Sequence, residues 1–134
     1  MLIRDIAACP HRRVLDRSVL CELLNPCTAG ETRDLGCSIA HAIVPAGEST
    51  LPHRLKKATE MYYILSGEGR MHIGEEGGNV RPGQVILIPP GDVQFIENTG
   101  NGELAFLCIV APPWQDDDEE LAVKKTPADA GNSG

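Results

Sequence analysis

Short segments rich in β-branched and aromatic residues follow one another through most of the chain, from residue 37 to residue 111. Glycine and proline interrupt them repeatedly, for example at residues 45–47, 82–83 and 89–91. Closely spaced strands with such turn residues between them predict an all-β fold, either a sandwich or a barrel. The predicted strands lie near residues 37–44, 51–55, 60–66, 69–73, 79–81, 84–88, 93–98 and 103–111.

The 134 residues allow one domain with one core. Residues 36–114 are predicted to form the barrel, preceded by an N-terminal arm over 1–35. The arm has apolar residues whose spacing fits either a short helix or an edge strand. Residues 115–134 are expected to form an acidic, largely disordered tail, because the run at 116–120 is wholly acidic and the last residues are small and polar.

The formal net charge of −7 argues against nucleic acid or an anionic membrane as a partner, since both require a basic surface. No stretch has the roughly 18 apolar residues of a membrane helix. The five cysteines are odd in number and contain no C-x-x-C pair, which fits neither a disulfide framework nor a four-thiolate zinc site. A reducing, cytoplasmic environment is therefore the expectation.

Two spaced patterns of glycine and polar residues lie within the predicted barrel. The first consists of Gly47, His53, Glu60 and Gly67, and the second of Gly83, Pro89, Gly91 and Asn98. Together they resemble the two motifs of the cupin superfamily, and the wider run resembles its small single-domain members. The resemblance implies a jelly-roll β-barrel of six to eight strands, usually dimeric, with a site inside one open end.

The same resemblance implies a metal site at four motif positions. His53 and Glu60 match two of them, whereas Leu55 and Gln94 stand where the family has histidines. A lone strand histidine such as His53 is more often structural than a ligand, and only the motif favours ligation. The predicted ligands are His53, Glu60 and Gln94, one nitrogen and two oxygens, a set that suits divalent Zn, Fe, Mn or Ni. Because Leu55 removes one ligand, the affinity should fall below that of a three-histidine site.

A small-molecule pocket is predicted beside this metal. Period-two alternation places Leu55, Tyr62 and Ile96 on the inward faces of their strands, as walls of the pocket. Tyr62 and Glu60 are the predicted catalytic groups, because each can move a proton. His41 could point inward or outward.

Three functions remain open from the sequence. The first is a metal-dependent enzyme of isomerase, lyase or dioxygenase type acting on a small polar molecule. The second is a non-catalytic module that senses or binds a sugar or small acid with a degenerate metal site. The third is a metal-free barrel kept for dimerisation. A homodimer is expected in each case, with Leu20, Leu23 and Leu24 of the arm in the contact.

Overall fold

Two antiparallel sheets enclose the core in the computed structural model, which describes residues 1–28, 30 and 34–122. The six-stranded sheet has the order β1-β2-β3-β10-β5-β8 and the five-stranded sheet the order β11-β4-β9-β6-β7. In chain order the strands are β1 (Arg12–Arg13), β2 (Val19–Leu24), β3 (Ser38–Val44), β4 (His53–Leu55), β5 (Thr59–Ser66), β6 (Gly69–Ile73), β7 (Glu76–Val80), β8 (Val85–Ile88), β9 (Gln94–Asn98), β10 (Leu104–Ala111) and β11 (Glu119–Leu121).

The core lies between the sheets and follows from the alternation along each strand. In β10 every second side chain is buried, beginning with Leu104 and Phe106. They belong to one cluster with Ile64 of β5 and Ile96 of β9, both fully buried. Burial of such side chains stabilises the fold by about 1.5–3 kcal/mol each. Beside this cluster lie buried polar side chains, among them His53, Glu60 and Gln94, and we call their position the polar end of the barrel.

The predicted all-β cupin-type barrel is confirmed, and its eight strands are found close to their predicted positions. The largest shift is in β7, which begins three residues earlier than predicted because the glycines at 77 and 78 pair with β6 rather than forming the turn. The arm takes the edge-strand alternative, with β1 and β2 extending the six-stranded sheet. Across the described part of the chain, no helix has the length and apolar character needed to cross a bilayer.

The acidic run is more ordered than its composition predicts. Residues Asp116–Asp118 form a 3-10 turn, and β11 pairs antiparallel with β4. The carboxylate of Asp118 accepts hydrogen bonds from the backbone N–H groups of Lys57 and Ala58, at 2.9 and 3.1 Å. A charged run is usually solvated, but here the carboxylate of Asp118 satisfies two backbone donors that strand pairing leaves free. The rest of the predicted tail, residues 123–134, lies outside the described residues.

We predict that Asp118→Ala lowers the free energy of unfolding by about 1–3 kcal/mol. The substitution leaves two backbone N–H groups without acceptors, and Ala58 is buried. Denaturant unfolding followed by circular dichroism measures the change. Asp117→Ala is the matched control, because the neighbouring Asp117 is exposed. Equal stabilities of the two variants would contradict a structural role for the acidic run.

Candidate functional site

A cavity of about 370 Å³ opens at the polar end of the barrel, between the two sheets. This volume suits a small organic molecule rather than a polymer. Its polar wall includes Asp16, His53, Glu60, Tyr62, Cys108 and Glu119, and its apolar wall includes Leu20, Ala40, Leu55, Phe106, Val110 and Trp114.

Gln94 joins three of the predicted site residues into one hydrogen-bonded group at the base of this cavity. Its amide Nε2 lies 2.9 Å from His53 Nε2, 2.9 Å from Glu60 Oε1 and 2.9 Å from the Tyr62 hydroxyl. Two amide hydrogens therefore serve three acceptors. The structure thus brings His53, Glu60 and Gln94 together, as the sequence predicts. Their role as metal ligands stays a prediction.

Backbone contacts set the tautomer of His53. Its Nδ1 lies 2.7 Å from the carbonyl oxygen of Leu51, which can only accept, so Nδ1 carries the proton. The other nitrogen, Nε2, then has a free lone pair, which accepts from Gln94. A histidine held through Nδ1 by a carbonyl, with Nε2 turned into a cavity, has the arrangement that metal-binding histidines adopt.

Two carboxylates that the sequence did not indicate complete the site. Asp16, from the loop between β1 and β2, places Oδ2 3.5 Å from His53 Nε2, and Glu119 of β11 places Oε2 4.0 Å from it. The second oxygen of each is already held: Asp16 Oδ1 accepts from the backbone N–H and hydroxyl of Ser18, and Glu119 Oε1 accepts from the indole of Trp114. Each carboxylate therefore directs one oxygen toward the imidazole.

Burial changes the protonation of the groups at the base of the cavity. Burial, and after it the charges of Glu119 and Asp16, raise the pKa of Glu60 to about 8. Burial and the nearby Glu60 raise the pKa of Tyr62 well above its usual range. Burial also raises the pKa of Glu119, an effect that His53 opposes. In the absence of a bound cation, Glu60 is therefore largely protonated at neutral pH.

The predicted pocket walls are only partly found. Leu55 and Tyr62 line the cavity, with Leu55 packed against Ala58, Val110 and Trp114. Ile96 does not line the cavity. It lies two residues after Gln94 in β9, and its side chain is fully buried in the core. Alternation placed Ile96 on the inward face but could not give its depth below the mouth.

The donor set fits a divalent metal ion. His53 Nε2, Asp16 Oδ2 and Glu119 Oε2 lie within 4.8 Å of one another, so one ion can reach all three. Imidazole and carboxylate are ligands for Zn, Fe, Mn or Ni. In each of the three residues the second nitrogen or oxygen of the group is held by a hydrogen bond, as in known metal sites. Gln94 is different, because the amide presents its N–H group, which cannot ligate, and its oxygen lies 3.3 Å from the Tyr62 hydroxyl. Ligation by Gln94 would require the amide to turn.

We predict that the metal-free protein loses stability as the pH rises from about 5 to 8. The pKa of Glu60 is higher in the folded state than in the unfolded chain, so the folded state holds a proton that the unfolded state has released. The slope should approach about 1.4 kcal/mol per pH unit for one proton. Chemical unfolding in the presence of a chelator measures it.

Glu60→Gln should make this slope shallower, since the amide keeps the shape of the protonated acid. Glu68→Gln, at an exposed carboxylate between β5 and β6, is the matched control and should leave the slope unchanged. If the free energy of unfolding of the metal-free protein instead rises with pH over this range, Glu60 is ionised in the folded state and the prediction is wrong.

Comparison with known proteins identifies the family. The family model of the Cupin domain matches residues 40–110, more than half of the chain. An uncharacterised protein of Methanocaldococcus jannaschii is 41% identical over 106 residues, which are 79% of this chain and 82% of the length of that protein. The oxalate-binding protein of Thermotoga maritima is 37% identical over 67 residues, half of this chain and 55% of that protein. A solved structure described as a predicted oxalate decarboxylase, also from Thermotoga maritima, superposes with a TM-score of 0.72 at 25% identity, over 83% of this chain and 99% of that one. The chain belongs to the cupin family.

Proposed function

We propose that the protein binds a divalent transition metal at His53 and, through it, a small carboxylate such as oxalate. The observation that carries this proposal is the pair of carboxylate oxygens, of Asp16 and Glu119, at 3.5 and 4.0 Å from His53 Nε2. Each carboxylate is oriented by a donor on its other oxygen. A bound ion would act as a Lewis acid toward the oxygens of the ligand.

Charge explains why a cation is needed. Without one, the carboxyl groups of Asp16 and Glu119 and a largely protonated Glu60 lie close together around His53. Buried charges are costly unless they are paired. A divalent ion would balance the charges of Asp16 and Glu119 together. It would also remove the repulsion that a negatively charged ligand would otherwise meet in this cavity.

The proposed ligands are His53, Asp16 and Glu119, with Glu60 at a further position. His53 and Glu60 are those predicted from the motif, whereas Asp16 and Glu119 take the place of the histidines missing at Leu55 and Gln94. Gln94 joins the set only if its amide turns. In its present orientation it holds His53 and Glu60 in place.

Oxalate is proposed as the ligand class on two grounds. Similar proteins are named for oxalate, one as an oxalate-binding protein and one as a predicted oxalate decarboxylase. The cavity suits a compact dianion held by a metal, since its volume is about 370 Å³ and the exposed Arg12 lies at its rim. The apolar side formed by Leu55 and Trp114 would keep water from the ligand.

Catalysis is a second candidate, and the placement of Glu60 and Tyr62 favours it. Both line the cavity, and burial keeps a proton on each at neutral pH. Either group could deliver a proton to a ligand oxygen or carbon, as general acids do. Binding and turnover share the metal site and differ in whether bound oxalate is released unchanged.

We also propose a homodimer, formed by the outer face of the six-stranded sheet. Val85 and Leu87 of the edge strand β8 are 63% and 61% exposed, and Tyr63 and Leu65 of the neighbouring β5 are about 40% exposed. Exposed apolar side chains at a sheet edge indicate a covered surface. The sequence predicted the arm for this contact, but Leu20 of the arm packs against the core of its own chain.

Metal binding is tested by titrating the metal-free protein with Mn²⁺ in a calorimeter, because Mn²⁺ prefers oxygen and nitrogen ligands to thiolates. We expect one ion per chain. His53→Ala should weaken binding more than about 100-fold, since loss of an outer partner alone costs 10- to 100-fold. Asp16→Asn should also weaken it, by at least about tenfold. His72→Ala is the control, because His72 instead bonds Glu97, at 2.8 Å, outside the cavity.

Oxalate added to the Mn²⁺-loaded protein should bind, and it should not bind after metal removal or in His53→Ala. The release of CO₂ during incubation would identify turnover. Binding of oxalate that is equal with and without metal would contradict the proposal, as would the absence of Mn²⁺ binding by the natural chain.

For the homodimer, light scattering should give twice the 14.4 kDa of one chain. Replacement of Val85 and Leu87 together by Glu should yield a folded monomer, because it places charge in the apolar contact. Leu121→Glu, at an exposed apolar residue of β11, is the control and should remain dimeric. A natural chain that is monomeric at tens of micromolar would refute this contact.

A further inference from the structure

Two cysteines and two histidines meet on the outer face of the six-stranded sheet, away from the cavity. Cys21 of β2 lies directly opposite His41 of β3 in the sheet register. The N-terminal segment crosses over this pair and brings Cys9 and His11 to it. Cys21 and His41 are buried, at 2% and 7% exposure. We call Cys9, His11, Cys21 and His41 the arm cluster.

The two imidazoles of the arm cluster face each other through ring nitrogens. His11 Nε2 lies 2.8 Å from His41 Nδ1, and the rings are nearly perpendicular. His11 Nδ1 lies 3.0 Å from the carbonyl oxygen of Cys9, so Nδ1 carries the proton and Nε2 offers its lone pair. A histidine oriented by a carbonyl at one nitrogen is poised to ligate through the other. His41 Nδ1 can do so once it loses the proton it shares with His11.

The two thiols complete the group. One ligand atom each from His11, Cys21 and His41 lie within 4.8 Å of one another. Cys9 approaches closely enough for a hydrogen bond between its thiol and that of Cys21, and its Sγ also lies 3.4 Å from the carbonyl oxygen of Glu22. Three ligand atoms, from His11, Cys21 and His41, thus surround one point, and the thiol of Cys9 lies next to that of Cys21.

We propose that the arm cluster is a second metal site, of the closed Cys₂His₂ type that holds zinc. Zinc takes four such ligands tetrahedrally in structural sites, and binding would release one proton from each thiol. Burial and the adjacent Cys9 raise the pKa of Cys21 to about 12, and burial lowers the pKa of His41. Without a metal, the buried thiol of Cys21 and the buried imidazole of His41 are therefore neutral.

The structure also indicates what such an ion would do. The 3-10 turn at Ile6–Ala8 has no buried residue, and Met1, Leu2 and Ile3 are exposed. Cys9 and His11 are the half-buried residues of this segment, between the exposed turn and the exposed β1. An ion ligated by both of them and by β2 and β3 would fasten the N-terminal segment to the sheet. The site has no part in the proposed binding of carboxylates, and its ligands do not line the cavity.

The test uses His53→Ala protein, which lacks the proposed barrel site, kept reduced and titrated with Co²⁺. We expect one ion per chain, with the visible bands of tetrahedral Co²⁺ and a near-ultraviolet thiolate-to-cobalt band, and displacement by Zn²⁺. None of the ligands proposed for the barrel site is a cysteine, so the thiolate band distinguishes the two sites. This experiment does not depend on the barrel site, so a lack of Mn²⁺ binding by the natural chain would not change the Co²⁺ result expected here.

Variants at the exposed side of the arm cluster keep the test independent of folding. His11→Asn should lower Co²⁺ affinity at least about tenfold. Cys9→Ser should weaken the thiolate band, because one of its two sulfur ligands is lost. Cys37→Ser and His72→Asn are matched controls and should leave the spectrum unchanged. Zn²⁺ should raise the melting temperature of the His53→Ala protein but not that of the same protein carrying His11→Asn.

Three results would overturn the proposal. One is the absence of a thiolate band in reduced His53→Ala protein. Another is a band that survives both His11→Asn and Cys9→Ser, or that disappears in Cys108→Ala, whose thiol lines the barrel cavity. The third is a lack of Co²⁺ uptake by the His53→Ala protein when the thiols of Cys9 and Cys21 are shown to be free and reduced.

Discussion

Three carboxyl groups and one imidazole share the open end of the barrel, and their electrostatics govern the site. Asp16 and Glu119 each place an oxygen near Nε2 of His53, while Glu60 is linked to His53 through the amide of Gln94. Acids this close and this buried cannot all ionise unless a positive charge joins them. The protein can meet that constraint with a proton on Glu60 or with a divalent cation. This choice links metal binding, pH and affinity for an anionic ligand.

Asp16 and Glu119, which create this constraint, lie before and after the cupin motifs in the sequence. The backbone carbonyl of Asp16 accepts from the N–H of Leu51, the same residue whose carbonyl fixes His53. Glu119 is placed by the pairing of β11 with β4. The first and last segments therefore do more than cover edges. They supply the anionic oxygens that the motif positions, with Leu55 and Gln94, do not provide.

Much of the fold could be predicted because period-two burial is a local property. The inward placement of His53, Glu60 and Gln94 followed from alternation and spacing, whereas the burial depth of Ile96 depended on the curvature of the whole barrel. Asp16 and Glu119 are 103 residues apart and carry no pattern of their own. Glu119 stands within an acidic run whose ordinary behaviour is solvation. Only the tertiary pairing of β11 brings it to the cavity.

We propose that a single ion binds between His53, Asp16 and Glu119. The most direct measurement is a crystal structure of the Mn²⁺-loaded protein, with the ion located by its anomalous scattering. We expect one peak in the cavity, about 2.0–2.3 Å from His53 Nε2 and from one oxygen of each carboxylate. Absence of a peak there, with His53 Nε2 still bonded to Gln94 and the carboxylates unmoved, would contradict it.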